Sequence, residues 1–257
     1  TQGRFARVLW IADGVNDDTS AIAAAIAAAP TGATVRFPPG RYKITAQLTW
    51  STKRLHLDGG GKAVIVEGTA LTGTGTAGAL IYVTGASCNG SSIIGLDFEG
   101  VETKAGFVGA DDKEYCAIRA DSVTDLLVQN VKATAKSWGV ILDTCIGGRV
   151  VDLTFTSFLD TAASGAGAGT DNYNSGVRVR AGDKTIVRGL VAKDCGSGVL
   201  ASTNGSSIDP TRLVVDGCHI ENAWDNGVYA ASAQDSIITN CTIKTSAGTG
   251  VKVRGSQ

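Results

Sequence analysis

The chain has 257 residues, 43% of them hydrophobic, and a formal net charge of −1. Such a length supports one large core, and so balanced a charge gives no global pull toward nucleic acid or an anionic membrane. No run of about 18 apolar residues occurs, so no membrane-spanning helix is expected. Thirty-four glycines against four prolines predict many tight turns between short strands.

The first predicted elements lie in DGVNDDTSAIAAAIAAAPTGATVRFPPGRYKI, which begins at Asp13. Asp18 or Thr19 is placed to accept hydrogen bonds from the first free amides of a helix, and Asp17 and Asp18 suit its positive end. Ile22 and Ile26 share a face four residues apart, alanine favours the helix, and Pro30 and Gly32 stop it. The strand VRF and, after PPG, the strand RYKI follow. A helix of this kind suits a cap, at about residues 13–30, laid across the open end of a stack of strands.

From residue 92 onward two patterns alternate. One is an alternating strand: SIIGLDF, LLVQNVKA, RVVDLTF, IVRGLVA, LVVDGCHI and SIITNCTI. The other opens on a small residue: AIRAD at Ala117, then GVILD, GVRVR, GVLAS, GVYAA and GVKVR at Gly139, Gly176, Gly198, Gly227 and Gly250. The small residues are separated by 22, 37, 22, 29 and 23 positions, so three steps lie near 22 and two carry insertions. Repetition at this period predicts a solenoid. Stacking the first pattern brings Leu96, Val131, Leu153, Leu190, Cys218 and Cys241 into one inward column, with Phe98, Ala133, Phe155, Ala192, Ile220 and Ile243 in the next. The second pattern stacks Ile118, Val140, Val177, Val199, Val228 and Val251. No polar residue interrupts these columns, and no recurring leucine framework or helix is present. The predicted fold is therefore all-β, a single parallel β-helix over residues 1–257, with coils about 4.8 Å apart. The chain contains no methionine and closes on GVKVRGSQ, almost directly after a strand, so a truncated C-terminal end is expected.

The segments DGVNDDTSAIAAAIAAA and GATVRFPPGRYKI resemble the N-terminal cap and first coil of the pectate-lyase-like right-handed parallel β-helix superfamily, especially its branch of phage tailspikes and capsule depolymerases. The resemblance is specific over residues 13–44 and rests on coil pattern beyond them. RVLWIADG lacks the Phe-Gly-Ala run usual before the Asp-Gly. The resemblance implies a carbohydrate-active protein, often a trimer, on a virion tail or outside the cell. It supplies no catalytic residues, since members place theirs on different coils or between subunits.

Candidate chemistry falls on the outward side of the second pattern. Asp121 and Asp143 stack one coil apart, and carboxylates about 5 Å apart should split their proton affinities and match a retaining glycosidase pair. Arg119 lies two residues from Asp121, and Arg178 and Arg180 follow on the next coil. These arginines, with Tyr173, Trp138 and Tyr229 for stacking on sugar rings, are the candidate substrate-binding residues, and Trp138 is equally placed to fold over the hydrophobic corner of its coil. The same columns also fit a surface ladder in which arginine neutralises aspartate. The insertion from Thr161 to Gly176 would hang Asp171, Asn172 and Tyr173 beside Arg178. Asp97 and Glu99, with two-residue spacing, match an inverting separation but read first as a structural or solvated pair, and His219 beside Glu221 reads as a solvated pair rather than a base. The six cysteines show no zinc spacing, and Asp111 with Asp112 falls far short of a calcium shell. No cofactor and no metal are expected. An endo-acting glycoside hydrolase of a bacterial surface or acidic polysaccharide is the first functional reading. A lyase, in which arginines neutralise a uronate, and a binding or structural β-helix of a virion are its rivals. A polysaccharide is the expected partner, with no nucleic acid and no membrane.

Overall fold

A computed structural model of the chain describes residues 5–6, 11–68, 78–101, 115–134, 136, 138–157, 174–202, 209–231 and 233–254. Every strand pairing among them is parallel. Among the described residues twenty strands wind into one stack, and the one α-helix is Thr19–Ala28. Parallel neighbours reached by successive crossovers give the right-handed parallel β-helix expected from the columns.

The capping helix buries Ile22, Ala25 and Ile26 in the main core, so it covers the first coil as its spacing predicted. Its N-terminus differs from expectation. Asp18 makes no side-chain cap bond; it is buried and accepts from the Ile11 amide. Burial pushes its carboxyl above the usual range. Asp17 instead accepts from the Thr19 amide at 3.0 Å, while the Thr19 hydroxyl accepts from the Thr45 amide at 2.8 Å and fastens the helix to the first coil.

The three predicted inward columns form in register, with Val131 opposite Leu153 and Val140 opposite both Ile118 and Val177. The first pattern is not one flat strand, however. Gly95, Asn130, Asp152, Gly189, Gly217 and Asn240 occupy the same coil position and have φ between 51° and 64°. One left-handed residue at that position turns the chain and breaks the two-residue alternation, a conformation that glycine, asparagine and aspartate tolerate best. The turn creates a fourth inward column, Leu57, Ile93, Val128, Val150, Val187 and Val215, all fully buried. Each coil therefore has three faces rather than two.

The recurring glycine of the second pattern has a steric cause. A Cβ on Gly139 would lie 2.4 Å from the Gly176 carbonyl oxygen and 3.1 Å from the Phe155 ring. Backbone cannot move aside within a stack, so Gly139→Ala is expected to cost roughly 1 to 3 kcal/mol by overpacking. Urea denaturation reads this directly, and an unchanged midpoint would contradict so close an approach.

All six cysteines are free thiols. Burial pushes Cys145 and Cys195 up to about 12, which leaves them as inert apolar filling at neutral pH. Among the described residues no helix is long and apolar enough to cross a membrane.

Candidate functional site

Three neighbouring strands, Ala79–Thr84, Cys116–Asp121 and Trp138–Asp143, present their last outward residues side by side. Thr84 pairs with Asp121, Asp121 with Asp143, and Asp143 with Arg180 on the next strand, Ser175–Arg180. Parallel pairing fixes this row, because residues at one register position of successive coils must lie one strand separation apart.

Arg119 ties the row together. Its Nε donates to Asp121 Oδ1 at 2.8 Å and its Nη2 to Asp143 Oδ2 at 3.1 Å, with the guanidinium side chain only 7% exposed. Arg180 Nη1 reaches the same Asp143 oxygen at 3.3 Å, and the Thr144 hydroxyl donates to Asp143 Oδ1 at 3.1 Å. The two carboxylates remain 18% and 22% exposed, enough to meet a substrate. Burial first and the charge of Asp121 second push the Asp143 carboxyl upward, against the pull of Arg119. The environment thus favours a proton on Asp143 more than an ordinary aspartate would hold it.

Tyr82 joins this group and is absent from the sequence-based candidates. Its hydroxyl donates to Asp121 Oδ2 at 2.9 Å, and burial raises its pKa. The strand that carries it, ALIYVT, precedes the repeats counted from residue 92. Its alternation, with Ile81 opposite Ile118, was the available signal.

Three further candidates are covered rather than open to a ligand, which for Trp138 is the corner-packing alternative. Arg178, Trp138 and Tyr229 are buried at 4%, 1% and 8% exposure, so they lie beneath the surface and not on an open sugar platform. Arg178 sits over the Trp138 ring at 4.7 Å, a cation–π contact, and Lys252 over Tyr229 at 4.9 Å. Trp138 and Tyr229 belong to a second apolar cluster with Ala79, Cys116, Ile141 and Leu200 on the outer side of this face. Tyr173, with Asp171, Asn172, Asp111 and Asp112, lies outside the described residues.

Asp97 and Glu99 do not act as a pair. Glu99 is held by Arg41 in a two-pronged contact of 2.6 and 2.9 Å, and Asp97 accepts from the Lys132 amide at 3.2 Å. Glu221 is paired with Lys193 at 2.9 Å, which leaves His219 Nε2 at 3.9 Å from the same oxygen. Among the described residues no group of three or more His, Cys, Asp or Glu is arranged to hold a metal ion.

A family model described as rhamnogalacturonase A/epimerase, pectate lyase-like, matches residues 11–257. No curated protein matches the sequence. The A-module of a mannuronan C-5 epimerase from Azotobacter vinelandii is similar in structure, with a TM-score of 0.64 at 18% identity over 96% of this chain and 71% of that one. An endo-xylogalacturonan hydrolase from Aspergillus tubingensis gives 0.67 at 12% identity over 98% and 77%. A surface adhesin of Streptococcus pneumoniae gives 0.73 at 13% identity over 96% and 65%. At these identities the likeness is one of fold.

Proposed function

Because the chain belongs to the rhamnogalacturonase A/epimerase, pectate lyase-like family, we propose that it cleaves a polysaccharide by glycoside hydrolysis at the Asp121–Asp143 row. One observation carries the reading: two half-buried carboxylates stand one strand apart under a shared arginine, and burial together with the charge of Asp121 pushes the Asp143 carboxyl upward, toward its protonated form. A strand separation of about 4.8 Å matches the roughly 5 to 5.5 Å between the two carboxyl groups of retaining glycosidases.

In this scheme Asp143 delivers its proton to the glycosidic oxygen as the bond from that oxygen to C1 breaks. Asp121 attacks C1 and forms a covalent glycosyl ester. Water then adds to C1 while Asp143 takes its proton, which releases Asp121 and restores both groups. Arg119 and Tyr82 hold the Asp121 carboxylate in position, each through one hydrogen bond. The substrate proposed is an acidic or bacterial surface polysaccharide cut internally, as by a tailspike-type depolymerase acting from a virion tail or outside the cell. The N-terminal cap segment supports that setting, and a homotrimer is the assembly proposed with it.

The Tyr82 contact favours a second reading, β-elimination from a uronate, with Arg119 or Arg180 against the sugar carboxylate and tyrosine moving a proton. The products separate the two. Hydrolysis gives saturated reducing ends, whereas elimination gives an unsaturated uronate. Tyr82→Phe is expected to retain most hydrolytic turnover, within about tenfold, since it removes one hydrogen bond to a carboxylate that Arg119 still holds. Near-complete loss together with unsaturated product would establish elimination instead.

A further inference from the structure

Around the corner from the carboxylate row, past the turn that follows each of its strands, lies a cavity of about 610 Å³. Its floor is one register column: His56 pairs with Ser92, Ser92 with Leu127, Leu127 with Arg149, and Arg149 with Ile186. Its edge is the turn column Gly90, Asp125, Gly147 and Lys184. The open shape has a local cause. Gly90 and Gly147 take left-handed φ of 73° and 67°, and a Cβ on Gly147 would strike Asp125 Oδ1 at 2.4 Å, so two of four turns carry no side chain into the space.

The chemistry of the lining is that of a glycan site. Leu127 and Ile186 are half-buried and give apolar area between polar groups. The Ser92 hydroxyl and His56 Nδ1 are bonded at 2.9 Å, which fixes the ring, and burial with the charge of Arg54 keeps the imidazole neutral near pH 7. A neutral, fixed imidazole and hydroxyl suit sugar hydroxyls. Arg149 and Lys184 are exposed, and neither side chain forms an ion pair or hydrogen bond among the described residues. Arg54 approaches the far end, beside Gly90. The lining carries two cations, Arg149 and Lys184, against one carboxylate, Asp125, and Arg54 adds positive charge at its end, while Asp183 beside Lys184 is engaged by Arg212. Five strands in register span roughly 19 Å, as four separations of about 4.8 Å, and that separation is close to the rise of one hexose in an extended chain. The volume also falls within the range of ligand pockets.

The geometry points to a second carbohydrate-binding groove, separate from the carboxylate row, that takes an anionic oligosaccharide of three or four residues along the axis of the helix, with its acidic groups at Arg149 and Lys184. From the proposed function it takes only that the ligand is a polysaccharide; it does not require Asp121 or Asp143 to be catalytic.

Binding of a fluorescently labelled tetragalacturonate by the full chain carrying Asp143→Asn, which prevents turnover, tests it by anisotropy. Adding Arg149→Ala and Lys184→Ala is expected to weaken binding on the order of tenfold or more, because two charge-assisted contacts are lost. Both residues are exposed, so the thermal melt should not move, and Arg149→Lys should restore part of the affinity. A neutral maltotetraose should bind far more weakly. Unchanged affinity in the double variant, equal binding of the neutral tetramer, or no binding of the acidic probe would each overturn the groove as proposed. Failure of the hydrolase reading looks different: the parent chain would cleave no polysaccharide while the dependence of probe binding on Arg149 and Lys184 persisted.

Discussion

Asp143→Asn is expected to lower turnover on the true substrate on the order of a thousandfold while glycan binding is largely kept, and Asp121→Asn by at least as much. The amide keeps the shape and the contact to Arg119 but can neither protonate the leaving oxygen nor, at position 121, attack the sugar carbon. The pH profile gives an independent reading. Asp143 must carry a proton to act as the acid, and its carboxyl is pushed upward by burial and by Asp121. Activity should therefore fall as pH rises through a value above the ordinary aspartate range. Arg119→Ala removes the cation that opposes the shift, so this alkaline limb should move to higher pH. Stability follows the same sign. A carboxyl whose folded pKa is raised contributes stability below its unfolded pKa, and that contribution is lost as pH rises through the folded value. At neutral pH the ionised Asp143 is thus a liability, and Asp143→Asn should melt no lower than the parent chain. An active Asp143→Asn enzyme would move the chemistry elsewhere, and a marked drop in melting temperature would show that the arginine contacts outweigh burial.

The stack was legible in the sequence because a parallel coil repeats its register. Val140, Val177 and Val199 must fall in one column if Gly139, Gly176 and Gly198 do. The fourth inward column escaped because a left-handed residue lies between Val128 and Val131, so the inward step is three residues instead of two. The sign of it was present: Gly95, Asn130, Asp152, Gly189, Gly217 and Asn240 share one coil position and are all residue types that tolerate positive φ. The carboxylate row was legible for the same reason as the columns, since Asp121 and Asp143 end equivalent strands. What lies over a strand was not. Alternation says that Arg178 and Tyr229 face outward, yet both are buried, and no period in the sequence encodes the cover of an outer face. Tyr82 was missed because its coil comes before the regular steps begin.

The largest effect on stability is expected at a contact that the repeat does not announce. Lys136 Nζ lies 3.2 Å from both carboxylate oxygens of Glu67, both side chains are fully buried, and the residues are 69 positions apart in sequence. The Val101 amide donates to Glu67 Oε2 at 3.1 Å, the Ser157 hydroxyl donates to the Lys136 carbonyl, and the Tyr115 ring lies 5.7 Å from the ammonium. The pair therefore gathers the ends of four successive coils. Replacing Lys136 by Met removes the ammonium that lies against the buried Glu67 carboxylate and should cost about 3 to 5 kcal/mol; Glu67→Gln removes the opposite charge of the same ion pair and should act in the same direction. The double variant should recover much of the loss, because both charges of the pair are then removed together, and a cycle of urea denaturations measures that coupling. Single variants within about 0.5 kcal/mol of the parent would show that water reaches the pair. The consequence extends to the site. Tyr115 immediately precedes the strand that ends at Asp121, Lys136 lies two residues before the one that ends at Asp143, and the Trp138 amide donates to the Tyr115 carbonyl at 2.9 Å. Both carboxylate strands thus start from this buried knot. Lys136→Met should lower turnover even under conditions where the variant is fully folded, since a shift of one strand start against the other displaces Asp121 relative to Asp143.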